Sequence, residues 1–223
     1  MADRRLSERA RAFEATGSVA DEAALLGERL RQGSLSRPRL ELAAHFGHAA
    51  AQALAPDVPP LAADVWRVHL NQPLGPRTPG YAERRSWCAW LRRYGALGEE
   101  ALTRAGIAAL RASLPAWDAS FAHPFPREAL AQAEARLHHG RAPWPPEVAR
   151  DAAWSCFAHA REREEREGQG WEAGAARLMA SLVLRRDPPQ EDAASAVHEL
   201  SWIQGPEAAA AAVGAELVPW VLG

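Results

Sequence analysis

Apolar residues recur every three or four positions through the first part of the chain, and polar or turn-forming residues interrupt them at short intervals. Leu6 and Phe13 mark the inner stripe of a short helix over residues 4 to 16. Ser18 is suited to an N-cap, with Asp21 three residues on as its capping partner. The next helix carries Ala23, Leu26 and Leu30 on one stripe and has Gly33 at the C′ position. Ser36 caps a third helix. Pro38 lies in its first turn, where a missing N–H costs nothing, and Leu35 and Leu40 fit the N′ and N4 places of a hydrophobic staple.

The stretch "ELAAHFGHAA" sets His45 and His48 three residues apart. That spacing brings two imidazoles together only on an unbroken helix. Leu42 and Phe46 end one helix, Gly47 breaks it, and "HAAAQAL" begins another with Ala50, Ala53 and Leu54 inward. The two histidines are therefore expected to straddle a joint. Only Glu41 lies near enough in sequence to add to a zinc set, so no metal site is expected here.

Six of the 17 prolines fall between residues 56 and 79, around the short helical segment "LAADVWRVHL". This predicts a connector between an N-terminal lobe (residues 1–55) and a main helical domain (80–223), with one continuous domain as the alternative. Beyond Tyr81 the helical segments follow one another, parted by glycine or proline. "YAERRSWCAWLRRYG" ends at Gly95. "LGEEALTRAGIAALRASL", with Ile107, Leu110 and Leu114 inward, is expected to stop at Pro115. "PREALAQAEARLHHG" ends at Gly140, and "PPEVARDAAWSCFAHAREREEREG" carries Val148, Ala152, Cys156 and Ala160 on its apolar stripe. "GWEAGAARLMASLVL", "EDAASAVHELSWIQG" and "PEAAAAAVGAELVPW" complete the series. The expected fold is all-α: about ten helices in antiparallel hairpins, forming an irregular HEAT-like solenoid or a multi-helix bundle.

Composition supports that class. The 223 residues include 50 alanines but two isoleucines and no lysine, so helix formers dominate and β-branched residues are scarce. A formal charge of −2 argues against general nucleic-acid binding. Cys88 and Cys156 make no disulfide framework. The charged start "MADRRLSERARAFEA" lacks a secretory h-region, and no apolar window is long enough for a membrane span, so a cytoplasmic protein is expected.

Candidate chemistry is sparse. In "RRSWCAWLRRYG", Arg84, Arg85, Arg92 and Arg93 flank Trp87 and Trp90. They could hold an acidic partner or stack on nucleobases. The spacing fits better an amphipathic helix with Trp87, Leu91 and Tyr94 inward and arginines reaching outward. Trp117 and Asp118 pair an aromatic face with a carboxylate, a combination suited to a cation or a flipped base, or simply to a packed tryptophan beside a loop-ordering aspartate. Cys156 has His159 nearby but no third orienting residue, so an inert core thiol is expected. His138 and His139 suit the negative end of their helix, and "REREERE" reads as a solvated face. No phosphate loop, HExxH or GxSxG occurs, and no cofactor is expected.

"SRPRLELAAHFGHAAAQAL", "EEALTRAGIAALRASLPAWDASF" with "PREALAQAEARL", and "AAAVGAELVPWVLG" resemble a group of mostly uncharacterised all-α helical-repeat proteins of myxobacteria and planctomycetes. The middle segment also resembles all-α immunity proteins of bacterial polymorphic toxin systems. Together the segments span about a third of the chain. Where similar sequences carry a cysteine-containing segment, "HHGRAPWPPE" stands here. The resemblance implies a non-enzymatic protein binder whose partner is another protein, such as a toxin, and it assigns no binding residue.

The expectation is a protein-interaction module with Arg84, Arg85, Trp87, Trp90, Arg92, Arg93, Trp117 and Asp118 as candidate partner-binding residues. The alternative is a HEAT-like DNA glycosylase, in which tryptophans and one aspartate serve a flipped base. The apolar end "ELVPWVLG" is expected to cap the last hairpin rather than dock on a partner.

Overall fold

A computed structural model describes residues 2–60, 97, 99–120, 124–139, 148, 151, 155, 158, 162, 197, 200 and 204–223. Every regular element among them is helical, with no strand. The described helices are α1 (Ala2–Thr16), α2 (Val19–Arg31), α3 (Arg37–His45), α4 (Ala49–Leu54), α5 (Glu99–Ser120), α6 (Phe125–His139) and α7 (Pro206–Leu222). The chain forms two compact units: Met1–Gln72 together with Gly214–Gly223, and Pro73–Val213.

In the first unit α1 packs on α2, and α4 packs on both α2 and α3. The capping chemistry explains where each helix begins and ends. The Ser18 hydroxyl accepts from the Asp21 backbone N–H at 3.1 Å and donates to the Asp21 carboxylate at 2.8 Å. The Thr16 hydroxyl adds a second donor to the same carboxylate oxygen at 2.6 Å. Both hydroxyls favour the charged form, Thr16 more strongly, so the Asp21 carboxyl lies below the usual carboxylate value. Because the folded-state pKa is the lower one, this contribution is present above the unfolded carboxylate pKa and fades as pH falls through the folded value. Thr16→Val should raise the Asp21 pKa in a side-chain NMR titration while the α2 shifts stay in place.

Two glycines end helices in the same way. At α2, Gly33 has φ +74°, its N–H donates to the Leu30 carbonyl and the Ser34 N–H to the Arg29 carbonyl. At α3, Gly47 has φ +83°, its N–H donates to the Ala44 carbonyl and the His48 N–H to the Ala43 carbonyl. Both are Schellman closures, in which a left-handed residue lets two later N–H groups turn back onto orphan carbonyls. Leu35 and Leu40, at N′ and N4 of α3, are both buried, as the expected staple requires. Ser36 occupies the N-cap without a side-chain cap bond.

The core of this unit is small and aliphatic. Leu26, Leu35, Leu40, Leu42 and the alanines 43, 44, 50, 51 and 55 are buried. On α4 the buried positions are Ala50 and Ala51, while the expected inward Ala53 is exposed. Adjacent alanines can both be buried because α4 touches two helices rather than one. Glu28 is buried as well. It is satisfied by Arg31 at 2.7 Å and by the Gln32 amide at 3.1 Å, as a buried carboxylate must be.

In the second unit α5 packs on α6. Leu102, Ile107 and Leu110 on α5 and Leu130 and Ala133 on α6 are buried. Pro115 does not stop α5, which runs on to Ser120. A proline inside a helix removes one donor and crowds the preceding turn. The Ala112 carbonyl in that turn accepts from the Gln204 amide at 2.7 Å, a partner from outside the helix. The proline itself is exposed. Val148 also departs from expectation. It is 47% exposed and falls at helical spacing with exposed Asp151, Ser155, Ala158 and Glu162, so it belongs to the solvated face.

Candidate functional site

His45 ends α3 with 1% of its surface exposed, and its Nδ1 lies 2.7 Å from the Pro59 carbonyl. A carbonyl only accepts, so Nδ1 carries a proton and donates. The ring thereby fastens the chain after α4 to the end of α3. Phe46 meets it edge to face, with centroids 6.2 Å apart.

His48 lies beyond the Gly47 turn and serves as the N-cap of α4. Its Nδ1 accepts from the Ala51 N–H at 3.4 Å, which places the neutral-ring proton on Nε2. Nε2 then donates to the Glu22 carboxylate at 3.3 Å, tying α4 to α2. The two histidines therefore straddle the joint as their spacing predicted, and the Nδ1 atoms serve different backbone groups. Among the described residues no group of three His, Cys, Asp or Glu side chains could hold a metal ion. No described helix is long and apolar enough to cross a membrane.

Asp118 sits near the end of α5 and is exposed. Both its oxygens are engaged by Arg127 of α6: Nε donates to Oδ1 at 3.2 Å and Nη2 to Oδ2. The same helix pair carries Arg111–Glu134 at 2.7 Å. Asp118 is thus part of a bidentate tie across the α5–α6 hairpin rather than a carboxylate standing free beside an aromatic ring. The continuation of α5 through Pro115 puts Trp117 and Asp118 on a helix instead of in the loop expected after it. The Trp117 side chain lies outside the described residues, as do Arg84, Arg85, Trp87, Trp90, Arg92, Arg93, Cys156 and His159. Of the candidate partner-binding residues, Asp118 is the one whose side chain can be placed.

A set of contacts that sequence reasoning did not anticipate lies in the first unit, around Gly214–Gly223. Arg29 of α2 donates through Nη1 to the Leu222 carbonyl and through Nη2 to the Gly223 carbonyl, the latter at 2.9 Å. These carbonyls end α7 and carry the negative pole of the helix, so a guanidinium suits them in charge and in geometry. Arg39 of α3 stacks on the Trp220 ring at 5.1 Å from its centroid. Phe46 lies so close to Gly214 that an added Cβ would come 3.0 Å from its ring. Leu217 and Val221, one turn apart, are buried. The apolar end therefore belongs to the unit built by the first helices, where Arg29, Arg39 and Phe46 meet it. Nothing in the local sequence of α2 or α3 signals this, because the partners of Arg29 are about 190 residues away.

No family model, curated protein or solved structure matches this chain.

Proposed function

We propose that this chain is a non-catalytic protein-interaction module, in its most concrete form an immunity-type protein that binds and blocks a toxin. The observation that carries this reading is the structural employment of the described groups singled out for chemistry. His45 holds the Pro59 carbonyl, His48 caps α4 and meets Glu22, and Asp118 is tied to Arg127. What those groups build is a helical scaffold with mixed charge on its surface, including Arg4–Glu8, Arg37–Glu41, Arg104–Glu100 and Arg111–Glu134 pairs. Such a surface recognises a partner by shape and charge complementarity. The resemblance of the middle segment to immunity proteins of polymorphic toxin systems points the same way, and Arg84, Arg85, Trp87, Trp90, Arg92, Arg93 and Trp117 remain the proposed contact residues.

The decisive experiment is purification from the native host with any bound protein, followed by reconstitution from the separate components. A stoichiometric complex that restores growth to cells expressing that partner supports the reading. Release of bases from lesion-containing duplex DNA by the purified chain, lost in Asp118→Asn, would overturn it in favour of the glycosylase alternative. Under the proposed reading Asp118→Asn has no catalytic consequence. It should cost at most about 1 kcal/mol of stability, the usual worth of an exposed ion pair, as measured by chemical denaturation.

A further inference from the structure

Two serines in the chain have an arginine three residues before them: Ser7, preceded by Arg4 and Arg5, and Ser34, preceded by Arg29 and Arg31. Serine kinases that select basic substrates do so with carboxylates that pair with arginines just upstream of the acceptor hydroxyl. They take the acceptor in extended chain, so a helix around it has to open first. The two sites differ in what that opening breaks. From Arg4 to Thr16 no residue of α1 is buried, and Arg4, Arg5 and Ser7 are all exposed. The Arg4–Glu8 pair, at 3.0 Å, is exposed on both sides and contributes little. At Ser34 the upstream arginines are already employed. Arg31 neutralises the buried Glu28 at 2.7 Å, and Arg29 holds the Leu222 and Gly223 carbonyls. The Ser34 hydroxyl and N–H both donate to the Arg29 carbonyl, at 3.2 and 3.0 Å. Opening the end of α2 gives up all of these contacts, including the partner of a buried carboxylate.

We propose that Ser7 is a modification site for an arginine-directed serine kinase, and that the fold withholds Ser34 from the same enzyme. The reaction is phosphoryl transfer from a nucleoside triphosphate. The Ser7 Oγ forms a bond to the γ-phosphorus, and the bond from that phosphorus to the β,γ-bridging oxygen breaks. The nucleoside diphosphate leaves, and the hydroxyl proton passes to the kinase's own aspartate base. The product suits its helix. Arg4 and Arg11 stand three residues before and four residues after Ser7, on the same face, and both are exposed. A phosphate there gains two guanidinium neighbours and draws Arg4 away from Glu8. Between Arg4 and Arg11 the chain carries four arginines against Glu8 alone, so an added charge of about −1.5 to −2 removes much of the basic excess. The modification thus retunes the charge of α1 while the helix persists. The inference is independent of whether the biological partner is a toxin.

The test uses the full-length chain, a purified arginine-directed serine kinase with Mg²⁺ and ATP, and initial rates assigned to each serine by tandem mass spectrometry. Ser7 should be phosphorylated at least roughly tenfold faster than Ser34, because α1 opens more readily than the end of α2. Ser7→Ala should remove the main product, and Arg4→Ala with Arg5→Ala should slow Ser7 by roughly tenfold. These positions are exposed, so both variants should keep the helical circular dichroism of the unaltered chain. Synthetic peptides of residues 2–13 and 27–40, which lack the fold, should be phosphorylated at comparable rates. No reaction at Ser7 in the full-length chain would overturn the proposal, as would labelling of Ser34 as fast as Ser7. A 27–40 peptide as slow as Ser34 in the full-length chain would overturn the masking of Ser34, because sequence alone would then explain the difference.

Discussion

His45→Ala should lower the melting temperature by roughly 10 °C. The imidazole is 1% exposed at the end of α3, and its Nδ1–H is bonded to the Pro59 carbonyl at 2.7 Å. Truncation leaves a cavity of several heavy atoms where a 1% exposed ring stood, in a unit whose described core is largely leucine and alanine. Large-to-alanine changes at such sites cost about 2–5 kcal/mol. It also removes a donor from a carbonyl, and a buried group left unsatisfied costs about 1–3 kcal/mol. Each kcal/mol shifts melting by about 2–4 °C in a chain of this size. His45→Asn separates the two effects, since its amide nitrogen can reach near the place of Nδ1 and keep the bond while part of the volume is lost. It should recover about half of the loss. Equal melting of His45→Ala and the unaltered chain would show that the Pro59 tie contributes nothing. Equal melting of the Asn and Ala variants would assign the whole effect to packing.

Deleting residues 218–223 should produce a loss of similar size. The segment contributes Val221, which is buried, Trp220 under Arg39, and the two carbonyls that hold Arg29. Large apolar side chains contribute about 1.5–3 kcal/mol each when fully buried. Trp220 is only half-buried, so about 3 kcal/mol is the expected sum. Melting should fall by roughly 6–12 °C. The loss belongs to the unit that contains Met1–Gln72, so amides of α2 and α3 should lose hydrogen-exchange protection while those of α5 and α6 keep theirs. An unchanged melting temperature would mean that the tail's contacts with Arg29 and Arg39 carry no stability.

The two deletions of contact bear on different uses of the chain. His45 closes a local joint within 14 residues, whereas the tail closes the same unit from the far end of the sequence. A local joint reforms whenever α3 and α4 form. A segment held by groups on distant helices contributes only once those helices have formed and come together.

Local chemistry made much of this protein readable from its residues. The cap at Ser18, the N-cap position of Ser36, the glycine stops at 33 and 47, the burial of Leu35 and Leu40 and the all-helical class all follow from preferences within about six positions, which a one-dimensional pattern records. The division of His45 from His48 is of the same kind, since one left-handed glycine between them decides it. Where a second element supplies the partner, the pattern misleads or is silent. Pro115 reads as a stop, yet α5 continues past it to Ser120, since a proline costs a helix one donor and some crowding without forbidding it. Val148 reads as core, yet lies on the exposed face of its helix, because hydrophobicity alone does not fix which side meets a neighbour. Asp118 reads either as a carboxylate for a cation or a flipped base or as a loop-ordering aspartate, and it lies instead on a helix, engaged by Arg127 nine residues away. The apolar end reads as a cap in need of a core. Sequence determined that it must be covered, since Leu217 and Val221 repel water wherever they are. Only the tertiary structure decided by what, because the guanidinium of Arg29, the ring of Phe46 and the charge of Arg39 converge on it from helices folded at the other end of the chain.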